Sequence, residues 1–110
     1  MRSTDGLLLR IFVGETDRYG TRPLYEWIVT KAKAQGLAGA TVLRGLMGFG
    51  PHSRVIHTFK IEQLSEDLPI IIEVVDTTEK IEAFVSFIEQ HLHSDLLATT
   101  EPIRIRFLQR

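Results

Sequence analysis

The run from Ile70 to Val75 is the feature that most constrains how this chain folds. Five of its six residues are isoleucine or valine, and Pro69 precedes them. β-Branched side chains favour strands, and a nearly continuous apolar run is typical of a strand that is covered on both faces. The sequence therefore predicts a buried central strand, which other elements of the chain must cover.

The segment after this run has the pattern of an amphipathic helix. Asp76 and Glu79 have the spacing of a capping box, with Asp in the place of the usual Ser or Thr. Apolar residues then recur at intervals of three and four, which is the spacing of one helix face. These residues are Ile81, Phe84, Val85, Ile88 and Leu92. The sequence thus predicts a second layer that packs on the central strand.

The first half of the chain repeats the order strand, helix, strand. Leu7–Val13 is a short apolar run between two glycines, which predicts a strand. After a polar loop over residues 15–22, Pro23 suits a first helical turn, and apolar residues at helical spacing continue to Gly36. Ala40–Met47 is again strand-like and runs into a glycine-rich loop.

Two further segments have strand patterns. In Val55–Ile61 alternating apolar residues predict an additional short strand. In Ile103–Phe107 apolar residues alternate with Arg104 and Arg106, which is typical of an edge strand with one covered face. The order of elements predicts an α/β sandwich, with both helices on one face of the sheet.

The other sheet face would be half apolar and half charged. A monomer would expose several large aliphatic side chains together there, whereas a subunit contact would cover them and pair the charges. The sequence favours an oligomer over a solvated sheet. The residues assigned to this face are Leu8, Arg10, Phe12, Arg44, Leu46, Ile71, Glu73, Val75, Arg104 and Arg106.

Length and composition exclude several classes of protein. The 110 residues suit one domain, which we expect to span residues 1–110, and the net charge of −1 gives no general attraction for nucleic acid. The absence of cysteine excludes disulfides, thiolate zinc sites and cysteine nucleophiles, and it agrees with a cytoplasmic location. The apolar stretch Leu7–Leu9 is too short for a signal peptide or a membrane-spanning helix.

No catalytic or metal-binding arrangement stands out in the sequence. His91 and His93 are two residues apart, so they do not share a helix face as metal ligands at i and i+4 do. The serines lack a nucleophile motif. We therefore expect a binding protein that is not an enzyme; a small lyase or hydrolase that uses His57 with a carboxylate remains an alternative.

The segment from Arg44 to Arg54 is the best candidate for ligand binding. Its glycines let the backbone approach a ligand and expose amide donors, while the two arginines suit an anion such as phosphate. Two structural alternatives remain: the segment is a flexible hairpin connection, or Arg44 pairs with Glu73 across the sheet. The three glycines are Gly45, Gly48 and Gly50.

Several motifs in order carry a resemblance to a known family. The chain resembles the uncharacterised bacterial and archaeal PII-like proteins from about Leu7 to Phe107, and more distantly the PII nitrogen-signalling proteins. This set of motifs is more specific than the glycine pattern by itself. The motifs are Gly14-Glu15, Pro23–Glu26, Gly36–Gly50, Leu64–Pro69 and Ile72–Asp76.

The resemblance implies both a fold and a function. The fold is α+β, a ferredoxin-like βαββαβ sandwich in which an antiparallel sheet carries two helices on one face. The function is that of a homotrimeric regulatory protein that binds AMP, ADP or ATP between subunits as an effector and requires no cofactor. The long loop would engage a partner, a membrane transporter or another protein. An oligomerising domain without a physiological ligand is the main alternative.

The resemblance and the glycine-rich segment together assign a nucleotide site. Residues 93–101 lack the glycine and lysine of the phosphate loop of PII proteins, so this segment does not supply the usual phosphate contacts. No catalytic or metal-binding residue is assigned. The expected nucleotide-binding residues are Arg44, Gly45, Met47, Gly48, Phe49, Gly50, Arg54, His57 and Arg104.

Overall fold

The structure, a computed structural model, describes residues 2–51, 67–93 and 95–108. Within these residues it contains two helices, a four-stranded sheet and a two-stranded sheet. In chain order the elements are β1 (Arg2–Gly14), β2 (Arg18–Tyr19), β3 (Arg22–Pro23), α1 (Leu24–Ala34), β4 (Gly39–Arg44), β5 (Pro69–Thr77), α2 (Thr78–His91) and β6 (Leu97–Phe107).

The larger sheet has the strand order β4-β5-β1-β6, and each neighbouring pair is antiparallel. The units β1-α1-β4 and β5-α2-β6 therefore interleave, so that each contributes one central strand and one edge strand. This topology is the ferredoxin-like βαββαβ sandwich, and it confirms the predicted fold class. The edge position predicted for the last strand is also confirmed for the sheet of one protomer.

The core lies between the sheet and the two helices. Alternate residues of β5, including Ile72 and Val74, have no exposed surface. Ile28 of α1 and Phe84 of α2 are equally buried above them. The central position of the predicted strand is thus confirmed, but within the protomer only one of its two faces is buried. Burial of each such side chain contributes about 1.5–3 kcal/mol before the entropy cost of ordering, so this layer dominates the stability of the fold.

The predicted capping box of α2 is wrong. Thr77 is the N-cap residue, and its hydroxyl accepts a 3.4 Å hydrogen bond from the backbone N of Lys80. Asp76 instead follows the alternation of β5 into the buried layer, where its carboxylate accepts a 2.9 Å hydrogen bond from the backbone N of Ala38. The carboxylate therefore joins the connection between α1 and β4 to the start of α2.

Element boundaries differ from the sequence pattern where strand pairing decides them. β6 extends back to Leu97 because Phe12 and the residues before it on β1 supply a partner ladder. β4 ends at Arg44, three residues before the predicted end. The predicted polar loop contains the short hairpin of β2 and β3. The predicted strand Val55–Ile61 lies outside the described residues.

Strand register corrects the composition of the open sheet face, the face opposite the helices. Directly opposed residues of an antiparallel pair share a face. Arg44 opposes Ile70, which is buried under the helices, whereas Leu43 opposes Ile71 on the open face. The assignment of Arg44 to the open face is therefore wrong, and Leu46 lies beyond the end of β4.

The same correction applies to the two arginines of β6. Arg104 opposes Asp5, on the helix side of β1, while Ile105 opposes Thr4 on the side of Leu8. Ile105 is buried because its side chain lies over Gly6, which has no side chain of its own. Pairing with β1 therefore decides which side of β6 is covered, and Arg104 and Arg106 do not belong to the open face.

Candidate functional site

Three strand ends meet at one end of the sheet. β1 ends at Gly14, which opposes Pro69 at the start of β5, and β4 ends at Arg44, which opposes Ile70. The glycine-rich segment leaves the sheet at this point. We call residues Arg44–Pro51 the root, because they begin the connection between β4 and β5.

Two glycines of the root lie close to Pro69. The backbone N of Gly45 donates a 2.7 Å hydrogen bond to the carbonyl oxygen of Pro69. A Cβ atom at Gly45 would lie only 2.8 Å from Cγ of Pro69. Gly48 has a φ of +151° and also approaches Pro69. These two predicted residues are therefore needed for the path of the backbone, whatever ligand it meets.

The root presents large apolar side chains to solvent. Phe49 is 72% exposed and Met47 is 45% exposed. Leu46, between Gly45 and Met47, is 77% exposed. Leu46 was missed as a candidate for the site. The strand pattern of Ala40–Met47 assigned it to the sheet, whereas its position between Gly45 and Met47, two residues assigned to the site, is the signal that could have identified it.

The far end of the root returns to β1. Gly50 and Pro51 line a cavity of about 20 Å³ together with Gly14, Asp17 and Asp67. This volume is close to the minimum for one water molecule. The root thus crosses the sheet end from β4 to β1.

Arg44 is paired within the protomer, but not with Glu73. Its Nη2 donates a hydrogen bond to Oε2 of Glu15, in the turn after β1. The Arg44 side chain is 60% exposed, while that of Glu15 is only 21% exposed. Glu73 pairs with Arg10 instead, at 2.9 Å. The alternative pairing of Arg44 with Glu73 is therefore wrong.

Two carboxylates accept hydrogen bonds from backbone amides at the end of β1 and in the turn after it. Oδ2 of Asp17 accepts a 2.8 Å hydrogen bond from the backbone N of Gly14. Oδ1 of Asp67 accepts a 3.0 Å hydrogen bond from the backbone N of Thr16. With Glu15, three carboxylates therefore surround the strand ends that hold Arg44. An anionic ligand at the root consequently needs cations in addition to Arg44.

The remaining predicted cations are not brought to the root in the described part of one protomer. Arg104 contacts Asp5 at 3.0 Å and Ser3 at 3.3 Å. Arg44 lies level with Val13 of β1, because both residues oppose Ile70. Asp5 and Val13 are eight residues apart on β1, which corresponds to about 26 Å. Arg54 and His57 lie outside the described residues. The assignment of these residues to a nucleotide site stays a prediction.

Comparison with known families decides the affiliation of the chain. Residues 6–105 match the family DUF190, described as "Uncharacterized ACR, COG1993". A UPF0166 protein of Aquifex aeolicus is 36% identical over 108 residues, which cover 98% of this chain and all of the relative. UPF0166 protein MJ1524 of Methanocaldococcus jannaschii is 39% identical over 74 residues, 67% of each chain.

The chain belongs to the DUF190 family. Its fold is shared with solved PII-like structures. A proposed PII-like signaling protein of Thermus thermophilus, TTHA0516, superposes with a TM-score of 0.64 at 19% identity, covering 96% of this chain and 93% of that one. CPII of Thiomonas intermedia K12, with ADP and bicarbonate bound, gives a TM-score of 0.57 at 18% identity, with 94% and 91% covered. The resemblance to PII-like proteins is thereby confirmed for the fold.

The open face of this DUF190 protein carries a charged group at its centre. Nε of Arg10 lies 2.9 Å from Glu73 on β5, and Nη1 lies 3.3 Å from Glu101 on β6. The pKa of the Arg10 guanidinium is raised, chiefly by the hydrogen bond to Glu73. Partly exposed apolar side chains surround this group on all four strands. They include Leu8, Phe12, Leu43, Ile71, Val75 and Leu97.

The helix side of the sheet also has an open region. A cleft of about 460 Å³ lies between α2 and β6, because two helices do not cover the inner face of the edge strand. Its floor is formed by Leu9, Ile11 and Ala98, and charged residues lie at its rim. Nothing in the described residues shows what covers this cleft.

No helix within residues 2–51, 67–93 and 95–108 is long and apolar enough to cross a membrane. In the same ranges no group of three or more histidine, aspartate or glutamate side chains is placed to hold a metal ion.

Proposed function

We propose that this protein is a PII-like regulatory protein that binds an adenine nucleotide, AMP, ADP or ATP, at the root. The observation that carries the proposal is that one surface combines two chemistries. Arg44 supplies an exposed cation, and Met47 and Phe49 supply exposed apolar surface a few residues away. Phosphate requires the first, and a nucleobase packs on the second. The nucleotides bound by CPII support this choice of ligand class.

The nucleotide site is completed by a neighbouring subunit of a homotrimer. Arg104 lies about 26 Å from the level of Arg44 along β1 of the same protomer, so only a second copy can bring it to the root. The open face supports such an assembly. Leu43 and Leu97 are 45% and 46% exposed there, and contact between two copies would bury these apolar side chains away from water.

The nucleotide acts as an effector and not as a cofactor or substrate. Its binding at the root changes the affinity of the loop between β4 and β5 for a partner, a membrane transporter or another protein, by shifting a conformational equilibrium. The chain works as a single PII-like domain over residues 1–110 in the cytoplasm. No residue is assigned a catalytic role.

Titration calorimetry with adenosine, AMP, ADP and ATP tests this function. We expect saturable binding without turnover of the nucleotide. Arg44→Ala should weaken binding of the phosphorylated ligands by about 1.5–3 kcal/mol, the usual range for a hydrogen bond to a charged group, and should leave adenosine binding unchanged. Arg22→Ala is the control, because Arg22 is another exposed arginine paired with a carboxylate, Glu26, at 3.1 Å.

Two results would contradict the proposal. Absence of binding for all four ligands would remove the nucleotide function. Unchanged affinity of Arg44→Ala for ATP in an intact oligomer would remove Arg44 from the site. Binding lost together with the oligomer would assign Arg44 a structural role instead.

One observation favours a second candidate function, an oligomerising domain without a ligand. The charged group on the open face is complete within the protomer, since Arg10 contacts both Glu73 and Glu101. Such a face can assemble without any ligand. A stable oligomer that binds no nucleotide would support this second function over the first.

A further inference from the structure

Arg44, the cation assigned to phosphate, already has an anionic partner within the protomer. The Glu15 carboxylate accepts the hydrogen bond from its Nη2. A phosphate group that reaches Arg44 must therefore displace this carboxylate or share the guanidinium with it. Glu15 thus enters the energetics of binding without any need to touch the nucleotide.

The two partners differ in how firmly they are held. Glu15 is largely buried, and its backbone N donates a 2.8 Å hydrogen bond to the carbonyl oxygen of Leu68 at the start of β5. Arg44 is the last residue of β4, and its side chain is mostly exposed. Exchange of the partner therefore requires movement of the arginine side chain, while the glutamate backbone stays in place.

The neighbouring carboxylates are held by other groups. Asp17 accepts the backbone N–H of Gly14, and Asp67 accepts that of Thr16. Their hydrogen bonds to the turn orient them toward the backbone. Glu15 is the carboxylate of this cluster that receives the hydrogen bond of Arg44.

We propose that Glu15 competes with the phosphate groups of the ligand for Arg44, and so determines how strongly the site discriminates ligands by their negative charge. A phosphate monoester carries nearly two negative charges at neutral pH, whereas the glutamate carboxylate carries one. AMP, ADP and ATP can therefore displace Glu15, while a neutral nucleoside gains nothing from Arg44. This inference deepens the proposed nucleotide function and rests on it.

Glu15→Gln tests the competition, because glutamine keeps the shape and an acceptor oxygen but removes the charge. Exposed ion pairs are weak, so we expect a gain in affinity for AMP, ADP and ATP of about two- to tenfold at low ionic strength. Adenosine affinity should not change. In the background of Arg44→Ala the gain from Glu15→Gln should disappear, which is the signature of coupling between the two side chains.

Glu26→Gln is the matched control. Glu26 also pairs with an arginine, Arg22, and its substitution changes the net charge equally, but it lies on α1 and does not belong to the root. It should leave all four affinities unchanged. If Glu15→Gln does not fold, Glu15→Asp serves instead, since the shorter side chain weakens the contact with Arg44 and should raise the phosphate affinity in the same direction.

The outcomes separate this inference from the function beneath it. Nucleotide binding by the wild type with unchanged or weaker binding by Glu15→Gln would overturn the competition and leave the proposed function intact. Equal gains in nucleotide affinity for Glu15→Gln and Glu26→Gln would show that the effect arises from net charge alone. This result would also overturn the competition. Absence of nucleotide binding by both the wild type and Glu15→Gln would overturn both proposals.

Discussion

Two arginines of this protein each pair with glutamate, but in regions of different construction. Arg10 lies at the centre of the sheet, where strands on both sides supply carboxylates, Glu73 and Glu101. Arg44 lies at the sheet end, where a turn supplies one carboxylate, Glu15. The register of three strands holds the first group in place, whereas the second can open by rotation of one side chain. This difference agrees with the proposed assembly through the sheet centre and the proposed ligand binding at the sheet end.

Close packing also differs between the two regions. Gly6 of the central strand β1 is paired on both sides, with β5 and with β6, and it lies against the backbone carbonyl oxygen of Asp76 and the side chain of Ile105. At the root Gly45 lies against the ring of Pro69. Backbone in the middle of a sheet cannot move without disturbing its neighbours, while a residue at a strand end has more freedom. The same substitution should therefore have unequal effects in the two places.

The largest effect is expected for Gly6→Ala. A methyl group there would overlap both the Asp76 carbonyl oxygen and Cδ1 of Ile105, and overpacking of this kind costs about 2–3 kcal/mol. Denaturant unfolding followed by circular dichroism measures the loss in the free energy of unfolding. Gly39→Ala is the control, because a Cβ at Gly39 has no atom within 4 Å. A loss no larger than that of the control would show that this packing does not limit stability.

Gly45→Ala should have a smaller effect on stability. The new Cβ would lie 2.8 Å from Cγ of Pro69, and a shift of the strand end relieves part of the overlap, so the expected loss is about 1–2 kcal/mol. Because the shift moves Arg44 and Met47, nucleotide affinity should fall as well. The same unfolding measurement, with calorimetry on the folded variant, checks both effects. A loss as large as that of Gly6→Ala would remove the distinction between the two regions.

Arg10→Ala should act on assembly. Removal of the guanidinium leaves Glu73 and Glu101 without their shared cation on the face that we assign to the trimer interface. Like charges brought together there should raise the dissociation constant of the oligomer by about five- to tenfold. Sedimentation equilibrium measures it, with Arg22→Ala as control. An unchanged dissociation constant would show that the open face is not the contact surface.

Local patterns determined the elements with the strongest periodicity. The run Ile70–Val75 and the helical spacing from Ile81 to Leu92 identify a central strand and the helix above it, and both are confirmed. These patterns succeed because each arises from residues within a few positions of one another, whose burial follows directly from the geometry of a strand or helix. Together with the patterns of the first half of the chain and of Ile103–Phe107, they predict the βαββαβ order.

Register and contact partners could not be obtained in this way. Alternation in Ile103–Phe107 correctly predicts a strand but not which side of the sheet Arg104 occupies, because that side depends on pairing with β1. Likewise the spacing of Asp76 and Glu79 predicts a capping box, but β5 directs Asp76 into the core, and Thr77 becomes the cap.

For the candidate site, the sequence by itself indicated the glycine-rich segment and its arginine, and the family motifs indicated the PII-like fold. Only the tertiary structure decided that Arg44 pairs with Glu15, 29 positions away, and that Arg10 joins Glu73 to Glu101, 91 positions from Arg10. Local periodicity reports which residues are buried in an element. It gives no information about distances between residues of different elements, because these are set by the antiparallel pairing of the strands.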